Sequence, residues 1–205
     1  MQVTSPADDR AVIAARLAGF GRVPILDPGL RAASVAVCVV IRRRVPCLLI
    51  TKRAATLRNH AGQWALPGGR RDPGESAAEA AIRELHEETS LQVQPGEVLG
   101  VLDDYRTRSG YIITPVVIWG GPLNISLSGP VAEVAQIYVI PLADLDQPPQ
   151  LLRIPESPRP VLRLPLRTGF VYAPTAAVIY QFCQLARHGL TTRVAQFDQP
   201  VFAWR

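Results

Sequence analysis

Lysine is almost absent from this chain. Lys52 is the only one among 22 basic residues, and arginine supplies the rest. The arginines are scattered, and only Arg42-Arg43-Arg44 forms a run. That run lies between two apolar, strand-like segments and reads as a hairpin turn, so no basic patch for a specific nucleic acid is indicated. A net charge of +5 carried on guanidinium groups suits phosphate-bearing small molecules, whose oxygens match the arginine fork. Cysteine is also scarce. Cys38, Cys47 and Cys183 are odd in number, lack metal-ligand spacing and sit among apolar residues, which excludes a disulfide framework or zinc site and predicts buried free thiols. No apolar run approaches bilayer length, so no membrane span is expected. The first residues, with Asp8, Asp9 and Arg10, do not resemble a secretory signal, and the cytoplasm is the expected compartment. Internal repeats and low-complexity tracts are lacking. With 48% hydrophobic and 19% charged residues over 205 positions, the composition is that of one globular domain with a sizeable core.

The most informative stretch runs over residues 68–91. Gly68, Gly69, Pro73 and Gly74 make a turn-rich loop. Ser76 with Glu79 three residues on is a capping-box pattern that opens a helix. Ala77, Ala80, Ala81 and Leu85 recur at helical spacing and predict its apolar stripe. Glu84, Glu87 and Glu88 stand at i, i+3 and i+4 on another face, where three like charges repel one another near the negative end of the helix dipole. Two readings stand side by side: a solvated acidic face, or a site for a hard divalent cation, which prefers carboxylate oxygens.

Taken in order, residues 7–18 predict a short helix, followed by an irregular glycine- and proline-broken linker that either covers a domain edge or contributes to a homodimer. Residues 32–41 and 47–51 predict two strands of a hairpin. Strands are expected over 98–103, 111–119, 137–140 and 170–173, a helical turn over 142–145, and a helix from Pro174 through Arg187 that Gly189 ends. Pro115 within the 111–119 strand implies an edge or a bulge. Residues 146–165, which hold six prolines, predict a rigid extended connection, and a loop of that length is often functional. The tail from residue 191 reads as an added strand or an interface segment.

Gly69, Glu75, Arg83-Glu84-Leu85, Glu87-Glu88 and Leu91 resemble the Nudix hydrolase signature G-x5-E-x7-R-E-U-x-E-E-x-G-U, where U is aliphatic. Every spacing fits, and one position departs: Ser90 replaces the glycine that follows the helix. A second stretch, with Leu49, Thr51, Arg53, Ala54, Arg58, Gly62, Pro67, Gly68 and Gly69, resembles the motif that precedes this signature in coenzyme A pyrophosphatases. Leu66 stands where that motif has phenylalanine. The runs 109–117 and 172–177 resemble the same subfamily.

The resemblance implies an α/β fold, a Nudix-type α/β/α sandwich with a mixed β-sheet, over residues 32–190. A helical extension and linker at 1–31 and a C-terminal extension at 191–205 would flank it. It implies Mg²⁺ or Mn²⁺ held by Glu84, Glu87 and Glu88 with the Gly68 carbonyl, and water attack on a diphosphate. Glu87 is the favoured base and Glu133 the second. Arg53, Arg58 and Gly69 are expected at the substrate, whereas Glu75 and Arg83 would pair structurally. His60 reads as a loop or packing residue. The implied reaction cleaves coenzyme A or a derivative into 3′,5′-ADP and 4′-phosphopantetheine. ADP-ribose, NADH or a nucleoside triphosphate are alternative substrates, and a regulatory nucleotide-binding domain without turnover is another alternative.

Overall fold

The computed structural model describes residues 6–56, 61–130, 132–166 and 169–204. Arg58 and His60 therefore lie outside the described residues. After helix α1 (Pro6–Ala18) and the linker, strands β1 (Arg31–Arg42) and β2 (Val45–Arg53) form an antiparallel hairpin. Arg43 and Arg44, with φ of 50° and 65°, are its two-residue turn.

Strands β3 (Trp64–Ala65) and β4 (Gly68–Arg70) lead to helix α2 (Ala77–Thr89). Then come β5 (Val98–Val101), β6 (Tyr105–Arg106), β7 (Tyr111–Pro122), β8 (Val134–Pro141) and the single-turn α3 (Leu142–Leu145). The main sheet has the order β3-β2-β1-β7-β5, with β8 also on β2, β6 also on β7 and β4 also on β1. β1 and β7 run parallel and every other pairing is antiparallel, so the sheet is mixed. β4 pairs with residues 33–35 of β1, the part that β2 leaves open, and this fastens the glycine loop to the sheet.

The period-two alternation of a strand divides the core into two layers. On one face Val37, Val39 and Ile41 of β1, with Leu48 and Ile50 of β2, pack against Ile13 and Leu17 of α1 and Ile179 and Phe182 of the long helix α4 (Thr175–His188). On the other, Ala36, Cys38, Val40 and Leu49 meet Ala81 and Leu85 of α2. The result is the expected α/β/α sandwich. All three cysteines are buried and free.

Of the edge or bulge that Pro115 implied, the edge is overturned and a one-residue irregularity in the pairing is found, and the loop expected over residues 146–165 is also overturned. β7 is an internal strand, and Pro115 sits where its partner changes from β5 to β6, its carbonyl accepting from the Leu102 N–H at 3.0 Å. The proline-rich segment is no loop: β9 (Gln150–Ile154), β10 (Ser157–Leu166) and β11 (Gly169–Tyr172) form a second, three-stranded sheet. Pro158 and Pro160 fall inside a register shift between Ser157 and Val161, where no ladder hydrogen bond is asked of them.

The segments that flank the sandwich, as far as they are described, are tied to it. Arg16 donates to the Ala186 carbonyl (2.7 Å) at the end of α4, satisfying an orphan acceptor. α1 lies against β5, so the extension covers that edge of the sheet. The tail is irregular, with one bridge between Val161 and Asp198 and a 3₁₀ turn at Val201–Ala203.

Candidate active site

Helix α2 presents the carboxylates because both its ends are well determined. Ser76 caps it with the full reciprocal box: the Glu79 N–H donates to Ser76 Oγ (3.2 Å) and the Ser76 N–H to Glu79 Oε2 (2.8 Å). At its other end Ser90 takes the left-handed conformation, φ 60°, that a glycine adopts freely. Its hydroxyl donates to the Ser128 carbonyl at 2.9 Å, a partner that the bare motif does not reveal.

Arg83 organises the loop. It donates from Nε and Nη2 to the two oxygens of Glu75 (2.9 and 3.0 Å), and from Nη2 to the Arg70 carbonyl (3.0 Å). These bonds hold the Glu75 carboxyl below the usual carboxylate range. From Nη1, Arg83 also reaches Glu84 Oε1 (2.8 Å) and Glu87 Oε2 (3.3 Å). Among the described residues no three carboxylate, imidazole or thiol groups are gathered closely enough to hold an ion as the side chains stand. Arg83 draws two of the three glutamates towards itself.

The surroundings of these carboxylates are nonetheless acidic, and the innermost of them is dry. Glu88 is buried, with Oε2 3.5 Å from the Thr51 hydroxyl. Burial pushes its carboxyl up to about 7; Arg53 and the Gly68 N–H oppose the shift, and the charges of Glu84 and Glu133 add to it. Burial likewise raises Glu84, with Arg83 opposing and Glu87 and Glu133 adding. Glu133 is exposed, as is Glu87. The structure thus brings Glu84, Glu87, Glu88 and Glu133 within electrostatic reach of one locus, with Arg53 opposite. This oxygen-only, mutually repelling set fits a hard divalent cation, the kind of ion that Nudix signatures imply.

Backbone geometry supports the same fit. Gly69 has the Glu84 carboxylate against its Cα, where a β-carbon would overlap it. A β-carbon on Gly68 would instead strike the Ser34 carbonyl and the Val35 backbone. Gly68, Gly69 and Arg53 line a cavity of about 290 Å³, which Trp64, Tyr111 and Val178 help to wall. Arg53 Nε is buried with no hydrogen-bond partner among the described residues. Sequence reasoning missed Thr51's position beside Glu88, and it missed Trp64 and Tyr111 in the cavity wall. It also missed Arg70, which donates to Tyr111 Oη at 2.8 Å. Proximity across strands carries no periodic signal.

The sequence profile of the Nudix domain matches residues 31–164. Over 134 residues the chain is 44% identical to the uncharacterized Nudix hydrolase NudL of Cronobacter sakazakii, covering 61% of this chain and 68% of that protein. Over 120 residues it is 42% identical to the NudL of Photorhabdus laumondii, covering 58% and 63% respectively. The chain thus spans between just over half and about two thirds of the length of the curated relatives it matches. Its fold is similar to that of a Nudix hydrolase from Alicyclobacillus acidocaldarius, with a TM-score of 0.51 at 19% identity over 78% of this chain and 93% of the other. Among the described residues no helix is long and apolar enough to cross a membrane. With a family profile that matches residues 31–164, well over half of its length, this chain belongs to the Nudix family of hydrolases.

Proposed function

We propose that the chain hydrolyses the diphosphate of coenzyme A or a close derivative, giving 3′,5′-ADP and the 4′-phosphopantetheine portion. The observation that carries this reading is the buried Arg53 Nε beside Gly68 and Gly69, which has no hydrogen-bond partner among the described residues. A buried guanidinium nitrogen left without an acceptor is costly, and a phosphate oxygen supplies the missing one. Arg53 belongs to the stretch that resembles coenzyme A pyrophosphatases, and so does Arg58. Three buried free thiols suit a reducing, cytoplasmic setting.

Glu84, Glu87 and Glu88, with the Gly68 carbonyl, would hold Mg²⁺ or Mn²⁺. Such an ion, when bound, neutralises diphosphate charge and acidifies water. The remaining work belongs to the chain. Arg53 orients a phosphate, while Val35, Leu66 and Val178 in the cavity wall limit access of bulk water. A carboxylate takes the proton of the attacking water, the new P–O bond forms, and the P–O–P bond breaks towards the leaving phosphate. Glu133 is the base we favour: Glu87 is already engaged by Arg83, whereas the Glu133 carboxylate has no hydrogen-bond partner among the described residues.

Incubating the protein with Mg²⁺ or Mn²⁺ and coenzyme A, ADP-ribose, NADH or a nucleoside triphosphate, followed by product analysis, tests the reading. Release of 3′,5′-ADP from coenzyme A, faster than cleavage of the others, is expected. Preferential cleavage of another member would retain Nudix chemistry and discard the coenzyme A assignment.

A further inference from the structure

Consecutive residues of a strand face opposite ways, so Lys52 points away from the surroundings of Thr51 and Arg53. It stands across from Trp64 in the β2–β3 register, with Nζ 5.7 Å from the indole centroid. Among the described residues the only lysine of the chain has no carboxylate partner. It is half-buried and lines a second cavity of about 290 Å³. Phe170, Tyr172 and Phe202 supply aromatic surface there, the last two edge to face at 5.3 Å. Phe202 is 53% exposed, leaving a large ring open at the cavity. Gln63, Trp64, Pro174 and Thr175 line both cavities, so the two adjoin at Trp64.

We infer that the Lys52 cavity is a second anion subsite, which takes a phosphomonoester on the sugar of the bound nucleotide while the base lies on the neighbouring aromatic rings. An ammonium against an indole face, with no acidic partner, leaves a positive charge that a phosphate dianion complements. Flat aromatic surface suits a base of any identity. The first cavity, walled by Val35, Leu66, Ile113 and Val178, then remains for the less polar arm beyond the diphosphate. Resting on the coenzyme A reading, this assigns Lys52 to the 3′-phosphate, the group that separates that substrate from ADP-ribose and NADH.

Calorimetric titration with 3′,5′-ADP and with 5′-AMP tests the subsite directly. The unmodified protein should bind 3′,5′-ADP at least about tenfold more tightly, and Lys52→Met should abolish that preference while leaving 5′-AMP binding unchanged. Equal binding of the two by the unmodified protein, or equal weakening of both by the substitution, would overturn the inference. Should the variant fail to fold, reductive labelling of the unmodified protein with pyridoxal phosphate reads the same site, because peptide mapping separates Lys52 from the α-amino group. Protection of Lys52 by 3′,5′-ADP and not by 5′-AMP supports the subsite, and equal or absent protection removes it. The two readings fail separately. A Lys52-dependent preference without coenzyme A hydrolysis sinks only the substrate assignment. Hydrolysis with the same loss of kcat/KM for coenzyme A and its 3′-dephospho form sinks only the subsite.

Discussion

The Glu84 carboxylate rests against Gly69 Cα, in the space a β-carbon would fill. A glycine in the loop and a glutamate two turns into the helix are therefore one structural unit. The obstacle at Gly69 is the far end of a flexible side chain, which swings aside. Gly69→Ala should lower turnover at least about tenfold through a displaced Glu84, with only a small shift in melting temperature. Gly68→Ala meets backbone instead and should cost about 1–3 kcal/mol of stability as well as activity. Thermal melts alongside steady-state rates separate the two, and equal melting losses would refute the distinction.

Glu88 lies in a dry site where burial disfavours the charged form of its carboxyl. Glu88→Gln keeps its shape and removes the charge. In chelator-treated protein at pH 8 the variant should melt no lower than the parent, while hydrolysis falls by about two orders of magnitude or more. A clear loss of stability without metal would mean that the charged form is structurally required.

Asp198 anchors the tail, accepting from Arg108 Nη2 (2.5 Å), Ser157 Oγ (2.6 Å) and the Gln199 N–H (2.8 Å). Burial alone would raise its carboxyl, but the bonds from Arg108, Ser157 and Gln199 outweigh it and hold the group well below the usual range. A depressed carboxyl contributes stability that is present above its unfolded value of about 4 and is lost as pH falls below it. Asp198→Asn should therefore melt below the parent at pH 7, by about 1–3 kcal/mol in stability given the half-exposed Arg108, and the gap should narrow below pH 4. A gap that stays constant from pH 7 to pH 3 would contradict this.

Ser90→Gly weighs two small effects of opposite sign. Glycine relieves the left-handed backbone at φ 60°, whereas loss of the hydroxyl removes its bond to the Ser128 carbonyl. The net change should lie within about 1 kcal/mol by denaturant unfolding. A larger loss would make the Ser90–Ser128 contact the dominant tie between α2 and the loop before β8.

Features written in local periodicity were legible before any coordinates. The apolar run of β1, the capping box at Ser76 and Glu79 and the stripe of Ala80, Ala81 and Leu85 appear where the residues indicate. The fold class followed from the glutamate and glycine spacing through family resemblance. Of the second sheet, β11 was expected, but β9 and β10 were not legible, because Pro155, Pro158, Pro160 and Pro165 signal an interruption; Pro155 falls in the turn between the two strands, and the register shift in β10 accommodates Pro158 and Pro160. Arg83 engages Glu84 and Glu87 as well as Glu75, a competition between neighbours that spacing alone does not rank. Lys52 stood out in the sequence only as the single lysine, because its place at a cavity depends on Trp64 across the β2–β3 pair and on aromatic residues more than a hundred positions later.

The anchored tail sets an order of assembly. Asp198 fixes a segment whose Gln199 and Ala203 line the same cavity as Gly68 and Gly69. The loop and helix that carry the glutamates emerge from the ribosome well over a hundred residues before that wall exists. A nascent chain can thus display the acidic face of α2 long before it can enclose a substrate, and enclosure awaits synthesis of the residues around Asp198.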